Sequence, residues 1–281
     1  MDRHWWYRGR RAAVDSLLRR AGTRPPASAR SQPGARSQPD SRPGTDGARR
    51  ILDYGCGVGN MGATLARYGD VWGVEADPDA LAAGDFSAYA GVVRAASVVE
   101  AATASRVPTA PDAGPGAASC GAGPAGKLPG GAFDIVTCLD VLEHVEDDAG
   151  LLRDLRALLG PDGVMVVSAP LHPDLFCAVD EIAGHLRRYT AEGLRGLLRG
   201  VDLRPVTESG YVVGLLPLAR RQRRRVQAGR AAPEQEWAVP PAPLNGLLSA
   251  VAVAEGKAAR WVSLPAGLSL LIAARPRLRA E

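Results

Sequence analysis

Apolar residues in this chain recur in two rhythms. Short saturated runs near glycines, at Arg50–Tyr54, Val71–Glu75, Gly91–Arg94, Phe133–Leu139 and Val164–Ala169, have the length of strands buried on both faces. Helical spacing separates them at Met61–Tyr68, Pro78–Ala90 and Asp148–Leu159, the last with a stripe of Leu151, Leu152, Leu155, Leu158 and Leu159. Gly160-Pro161-Asp162-Gly163 ends that helix and turns the chain into the next strand. A final run, Ser269–Ala274, is expected to close the sheet. Strands alternating with helices predict an α/β fold, a doubly wound sheet with helices on both faces. Ligands of such sheets sit at the carboxyl ends of the strands.

Two stretches break the rhythm. Gly22–Gly47 is rich in Pro, Ser, Gly and Arg, and contains the near-repeat Ala29–Gly34 and Ala35–Asp40. Ala101–Gly131 is dominated by Ala, Gly and Pro. Neither buries enough apolar surface to offset its ordering entropy. The expected organisation is an N-terminal aromatic and basic helix (1–21), a disordered linker (22–48), a core (49–209) with an insertion (101–131), a helical cap (210–263), and a closing strand with its tail (264–281).

Of 281 residues, 46% are hydrophobic and 23% charged, enough for a sizeable core. No apolar run reaches the roughly 18–20 residues of a membrane span. Met1-Asp2-Arg3-His4-Trp5-Trp6 contains no apolar h-region, so no secretory signal is expected. Cys56, Cys120, Cys138 and Cys177 form no Cys-x-x-Cys pair, so a reducing cytoplasm is the expected compartment. The net charge of +4 is almost all arginine, since Lys127 and Lys257 are the only lysines. Heavy Arg, Ala, Gly and Pro usage resembles the codon bias of a GC-rich genome and explains much of that basicity. No aromatic-interleaved basic motif accompanies it, so no nucleic-acid partner is expected.

The sharpest local signal is Ile51-Leu52-Asp53-Tyr54-Gly55-Cys56-Gly57-Val58-Gly59-Asn60, between a strand and a helix. Glycines there let the backbone turn tightly and approach a ligand. Glu75, ending the next strand, is placed to accept from two ribose hydroxyls. Loop and acid together point to a nucleoside-bearing ligand. Asn60 stands where a dinucleotide fingerprint wants its last glycine.

The spacing Asp53-x-Gly55-x-Gly57-x-Gly59 resembles the first motif of class I S-adenosylmethionine-dependent methyltransferases. The resemblance continues in order through Gly73-Val74-Glu75, Phe133–Val136, Leu139–Val145 and Leu159–Gly163. His4–Arg11, Gly184–Thr190 and Leu264–Ser269 resemble a bacterial subgroup of that family. The resemblance implies a Rossmann-like, seven-stranded, mostly parallel sheet and S-adenosyl-L-methionine as cofactor. It implies that Asp53, Gly55, Cys56, Gly57 and Gly59 cradle the cofactor, with Glu75 and Ala76 at the ribose and Leu139 beside them. The acid that usually meets adenine is missing from Ala95-Ala96-Ser97, leaving Ser97 or backbone amides for that contact.

Methyl transfer also needs an aligned nucleophile and a destination for its proton. Asp140-x-x-Glu143-His144, after the fourth strand, offers His144 as a base. Three readings stay open: these residues position the acceptor, Asp140 and Glu143 merely cap a helix, or all three hold a divalent metal, which is allowed but not expected. His172 borders the region expected to receive the acceptor and is a further catalytic candidate.

His185, Arg187, Arg188 and Tyr189 precede Thr190, a candidate N-cap. They read either as a solvated helix entrance or as an acceptor site whose arginines suit a carboxylate or phosphate. Trp5, Trp6, Tyr7 and Arg8 read either as a packed helix or as a lid on the acceptor. Arg220–Arg225 follows the apolar Tyr211–Leu218, and Leu244–Trp261 has helical apolar spacing. A solvated charge run and contact with an anionic membrane are both open.

The expected activity is methyl transfer from S-adenosylmethionine to a small-molecule or lipid-linked acceptor, at oxygen. The expected location is the cytoplasm, with a peripheral place at the inner membrane surface left open. A non-catalytic cofactor-binding protein and a nicotinamide-dependent oxidoreductase are the competing readings. Oligomeric state stays unassigned.

Overall fold

The structure is a computed structural model that describes residues 4–26, 48–103, 128–233 and 240–277. Its strands form one seven-stranded sheet in the order β3-β2-β1-β4-β5-β7-β6. The chain divides into two compact units. One comprises Arg24–Thr137 and Ala157–Gly163, the other Met1–Thr23, Cys138–Arg156 and Val164–Glu281. They are called here the loop unit and the histidine unit.

In the loop unit, β1 (Arg50–Tyr54), β2 (Asp70–Glu75) and β3 (Gly91–Arg94) pair in parallel, with Asp53 opposite Gly73 and Glu75 opposite Arg94. Ile51, Leu52, Val71, Val74 and Val93 are buried, as expected of strands covered on both faces. β4 (Phe133–Leu139) begins in this unit and ends in the other. The helices are short: α2 (Gly62–Leu65), α3 (Pro78–Ala83) and α4 (Val98–Thr103).

The expected helix Pro78–Ala90 stops at Ala83. Gly84 leaves in an extended conformation, and the chain then packs Phe86 and Tyr89 inward, edge to face with each other. Met61–Tyr68 likewise shortens to α2, closing in a turn at Tyr68. The expected linker and insertion lie outside the described residues over 27–47 and 104–127, as does Cys120.

The histidine unit contains α1 (Trp5–Arg20), most of α5 (Asp148–Leu158), the later part of β5 (Leu159–Pro170), α6 (Ala178–Ile182), α7 (Ala191–Gly200), β6 (Leu203–Tyr211), α8 (Leu216–Gln227), α9 (Ala242–Ala258) and β7 (Ser269–Pro276). β5 starts earlier than expected, with Pro161 and Asp162 exposed on an already extended backbone. β7 does not close the sheet at its edge. It lies between β5 and β6, antiparallel to both. The pattern left β6 unseen, because its Arg204, Pro205 and Glu208 interrupt the apolar residues. Thr190 caps α7 as expected, accepting from the Gly193 amide.

Helix α1 is packed. His4 caps it by accepting from the Trp6 amide, and Gly9, Ala13, Val14, Leu17 and Leu18 form its buried face. Its neighbour α9 buries Ser249, Ala252 and Gly256. The leucines that suggested an apolar face do not all do that work: Leu244 and Leu247 are exposed. Small residues instead let the backbones approach. A Cβ on Gly9 would lie 2.6 Å from both the Ala252 Cβ and the Tyr211 hydroxyl. Among the described residues no helix is long and apolar enough to cross a membrane.

This packing makes a prediction with an unusual sign. In a helix interior, glycine to alanine normally stabilises by roughly 0.8–1 kcal/mol. Gly9→Ala should instead destabilise by about 1–3 kcal/mol through overpacking. Gly196→Ala on α7, where a Cβ meets nothing within 4 Å, should be neutral or stabilising. Urea midpoints of the two variants test the contrast.

Candidate functional site

The loop unit carries the glycine loop. Gly55, Gly57 and Gly59 have φ of 71°, 55° and 83°, in the left-handed region that side chains disfavour. Gly59 is constrained twice, because a Cβ there would lie 2.3 Å from the Asp85 carbonyl oxygen. The turn aims the Gly57 amide at Glu75, whose Oε2 accepts from it at 2.7 Å. Oε1 of Glu75 accepts from the amides of Ala76 at 2.8 Å and Asp77 at 2.9 Å. The half-buried acid at the end of β2 is thereby joined to the loop after β1.

Asp53 is 2% exposed, and its partners are internal. Its carboxylate accepts from the Tyr89 hydroxyl at 2.7 Å and the Thr137 hydroxyl at 2.7 Å. Burial and the Asp53 charge both raise the Tyr89 pKa, so the phenol keeps its proton and remains a donor. Tyr89 and Thr137 were missed by sequence reasoning. Tyr89 fell in an expected helix, and nothing in the local pattern sets Thr137 apart in its strand.

Burial, followed by the charges of Asp53 and Glu75, pushes the Cys56 thiol up, so it does not supply a thiolate. Exposed Ser97 accepts from the Glu100 amide at 3.1 Å, while Glu100 accepts from the Ala96 amide at 2.7 Å. These bonds cap α4. The Ser-x-x-Glu spacing was the sequence signal that could have found this helix.

The histidine unit carries the cluster after β4, beginning just beyond buried Leu139. Asp140 sits at φ 54°. It accepts from the Ser168 hydroxyl at 2.7 Å and forms an ion pair with Arg10 of α1. The helix-capping reading therefore fails for Asp140. The short 3-10 turn Leu142–His144 has no side-chain cap, and Asp147 caps the start of α5 through the Gly150 amide.

Glu143 is 1% exposed, and its Oε2 has no hydrogen-bond partner. Burial first, and then the Asp140 charge, raise its pKa well above the ordinary carboxylate range. His144 is exposed and its Nδ1 donates to the Gly184 carbonyl at 3.2 Å, which leaves the lone pair of a neutral ring on Nε2. His185 meets His144 edge to face, with ring centroids 4.8 Å apart. One ligand-type atom from each of Glu143, His144 and His185 lies within 4.8 Å of the others.

Behind His185 stands Asp180, fully buried on α6. It accepts from His185 Nδ1 at 3.0 Å, Arg188 Nε at 2.8 Å, Arg223 Nη1 at 2.5 Å and the Cys177 amide at 3.0 Å. These donors hold the Asp180 carboxyl far below its usual range against the opposing effect of burial. Sequence reasoning missed Asp180 and Arg223, and nothing local links them across 43 residues.

The remaining candidates are engaged within the protein. Arg188 is buried on Asp180 and the Leu171 carbonyl, not solvated. The buried Tyr189 hydroxyl donates to Asp148 at 2.8 Å, and its pKa is raised by burial and by that carboxylate. His172 donates from Nε2 to the Gly267 carbonyl at 3.0 Å and accepts from Arg220 at Nδ1. Burial and Arg220 lower its pKa, keeping the ring neutral. The Trp5 amide donates to Asn245, Trp6 packs edge to face with Tyr211, and Arg10 stacks on Tyr7. Arg8 alone of this group is exposed.

A family model described as a methyltransferase domain matches residues 5–208. The chain belongs to this methyltransferase family. Its cofactor is S-adenosylmethionine. The ubiquinone biosynthesis O-methyltransferase of Ralstonia nicotianae is 33% identical over 118 residues, covering 41% of this methyltransferase and 40% of that protein. The protein of the same name from Psychrobacter cryohalolentis is 31% identical over 121 residues, covering 43% and 40%. The aligned stretch thus spans about two fifths of the length of these curated relatives. A solved SAM-dependent methyltransferase from Archaeoglobus fulgidus aligns over 81% of this chain and 86% of its own at 15% identity, with a TM-score of 0.45.

Glu143 gives the cluster a pH signature. A glutamate titrates near ~4.3 in an unfolded chain, and folding raises that value. The protonated carboxyl therefore stabilises the fold fully below the unfolded pKa, and this contribution is lost as pH rises toward the folded one. Glu143→Gln should match the parent in thermal midpoint near pH 4 and exceed it increasingly toward neutrality. Midpoints measured across that pH range test the sign.

Proposed function

We propose that this methyltransferase methylates an oxygen of a small organic or lipid-linked acceptor, with His144 taking the acceptor's proton. S-adenosylmethionine supplies a methyl group on its sulfonium, and in-line attack by the acceptor oxygen breaks the carbon–sulfur bond and releases S-adenosylhomocysteine. The observation that carries the reading is the exposed His144 ring, oriented by the Gly184 carbonyl, in the same turn as the buried Glu143 carboxyl, whose pKa burial raises. That orientation keeps Nε2 as the basic nitrogen of the neutral ring. The relatives named as O-methyltransferases support oxygen over nitrogen or carbon.

The chain's groups divide the work. Gly55, Gly57, Gly59 and Glu75 hold the cofactor, and Asp53 fixes the loop through Tyr89. Asp140 is held by Arg10 and Ser168, ready to orient the acceptor. Asp180 orients His185 beside His144. Arg188, Tyr189 and His172 support the walls through their internal bonds and do not meet the acceptor themselves.

His144→Ala should lower turnover by about 10²–10⁴-fold while leaving S-adenosylhomocysteine affinity nearly unchanged. Glu75→Ala should do the reverse and weaken that affinity first. Calorimetry with S-adenosylhomocysteine, combined with its release from a panel of hydroxylated and lipid-linked acceptors, separates the two. Full activity in His144→Ala would refute the base.

The 4.8 Å grouping of Glu143, His144 and His185 favours a second reading, in which they hold a divalent cation. The donor set fits: two imidazoles and a carboxylate whose buried Oε2 has no hydrogen-bond partner. A cation there would polarise an acceptor oxygen, and binding would have to displace the Glu143 proton. Manganese should then raise the thermal midpoint of the parent but not of His185→Ala, more strongly at higher pH. A midpoint indifferent to manganese removes this reading and leaves the base.

A further inference from the structure

The positive charge of the chain is concentrated in one stretch. Leu216–Ser263 holds eight basic and three acidic residues, a net charge of +5, whereas the whole chain carries +4. Helix α8 divides its own arginines by face. Arg223 and Val226 are buried, the former on Asp180, while Arg221, Arg224 and Arg225 are exposed. Among the described residues, no carboxylate lies within ion-pair distance of Arg221, Arg224, Arg225 or Arg230.

These four arginines, with Leu216 and Pro217, line an open groove of about 520 Å³. Leu218, in the first turn of α8, is 62% exposed. Later in the stretch, Trp261 and Val262 are 77% and 52% exposed, with Arg260 stacked 5.0 Å over the Trp261 ring. On α8, exposed cations beside an exposed leucine differ from a merely solvated charge run. A nucleic-acid backbone would use the arginines but leave the exposed Leu218 without a role. An anionic bilayer uses both, drawing the guanidinium groups to lipid phosphates and the apolar groups to the acyl boundary.

We propose that the exposed face of α8, with Leu218 at its start, docks the protein on an anionic phospholipid surface. This deepens the lipid-linked reading of the acceptor. Docking is measured without methyl transfer, so either can fail alone. Each basic residue near such a surface contributes about fivefold in affinity.

The full chain should co-sediment with phosphatidylcholine vesicles containing phosphatidylglycerol, not with phosphatidylcholine alone, and the bound fraction should fall as salt is added. The triple variant Arg221→Gln, Arg224→Gln, Arg225→Gln should lose about a hundredfold in vesicle affinity while keeping its S-adenosylhomocysteine affinity, which shows that it is folded. Three outcomes overturn the proposal: equal binding to both vesicle types or to neither, undiminished binding by the folded variant, and tighter binding of a single-stranded RNA than of anionic vesicles. If the triple variant fails to fold, Leu218→Gln, which leaves every arginine in place, should still weaken vesicle binding. Unchanged binding by that variant overturns the proposal.

Discussion

A buried carboxylate organises the histidine unit. Asp180 has no exposed surface, yet it remains charged because it accepts from two guanidinium groups, an imidazole and an amide. Breaking such a network by removing one partner typically costs about 3–5 kcal/mol, because the remaining charge is left uncompensated. The network also fixes positions. Asp180 sets the ring of His185, Arg188 ties the chain after His185 to the Leu171 carbonyl, and Arg223 brings the inner face of α8 onto α6. His185, and with it the edge of His144, stands where it does because this carboxylate is satisfied.

Asp53 plays the corresponding part in the loop unit. Tyr89 and Thr137 donate to it, and the phenol reaches it only because the chain leaves α3 at Gly84. Each unit therefore rests its candidate site on a buried acid that is not itself displayed to solvent. The displayed groups, Glu75 and His144, meet the backbone: Glu75 at the amides of Gly57, Ala76 and Asp77, and His144 at the Gly184 carbonyl.

That division explains what the sequence disclosed. The strands of the loop unit were legible because burial on both faces leaves saturated apolar runs, and the glycine loop because φ near 55–83° restricts residue choice. The positions of Glu75, Asp140, Glu143 and His144 at or just past strand ends were legible too. Asp180 and Arg223 were not, since their partnership spans distant chain positions and leaves no periodic trace. Strand β6 was hidden by the charges and proline of an edge strand. Helix α9 was legible from its spacing, but the spacing did not show which residues it buries, because close helix packing selects small residues over leucine. Arg188 and Tyr189 read as ligand groups in a polar run, and nothing local shows that their donors are directed inward.

The arginines are sorted by position in the fold. Overall basicity could be ascribed to composition, and composition has no direction. Position does. Arg10, Arg188 and Arg223 are withdrawn from solvent and each faces a carboxylate, so they contribute to the net charge but not to the surface field. The exposed arginines of α8 lack that compensation among the described residues, in a stretch whose charge exceeds that of the whole chain. A codon bias can fill a sequence with arginine, but it does not sort arginines by helix face. Where Arg223 turns inward to a buried acid and its neighbours Arg224 and Arg225 turn outward, the fold has given one residue type two separate tasks.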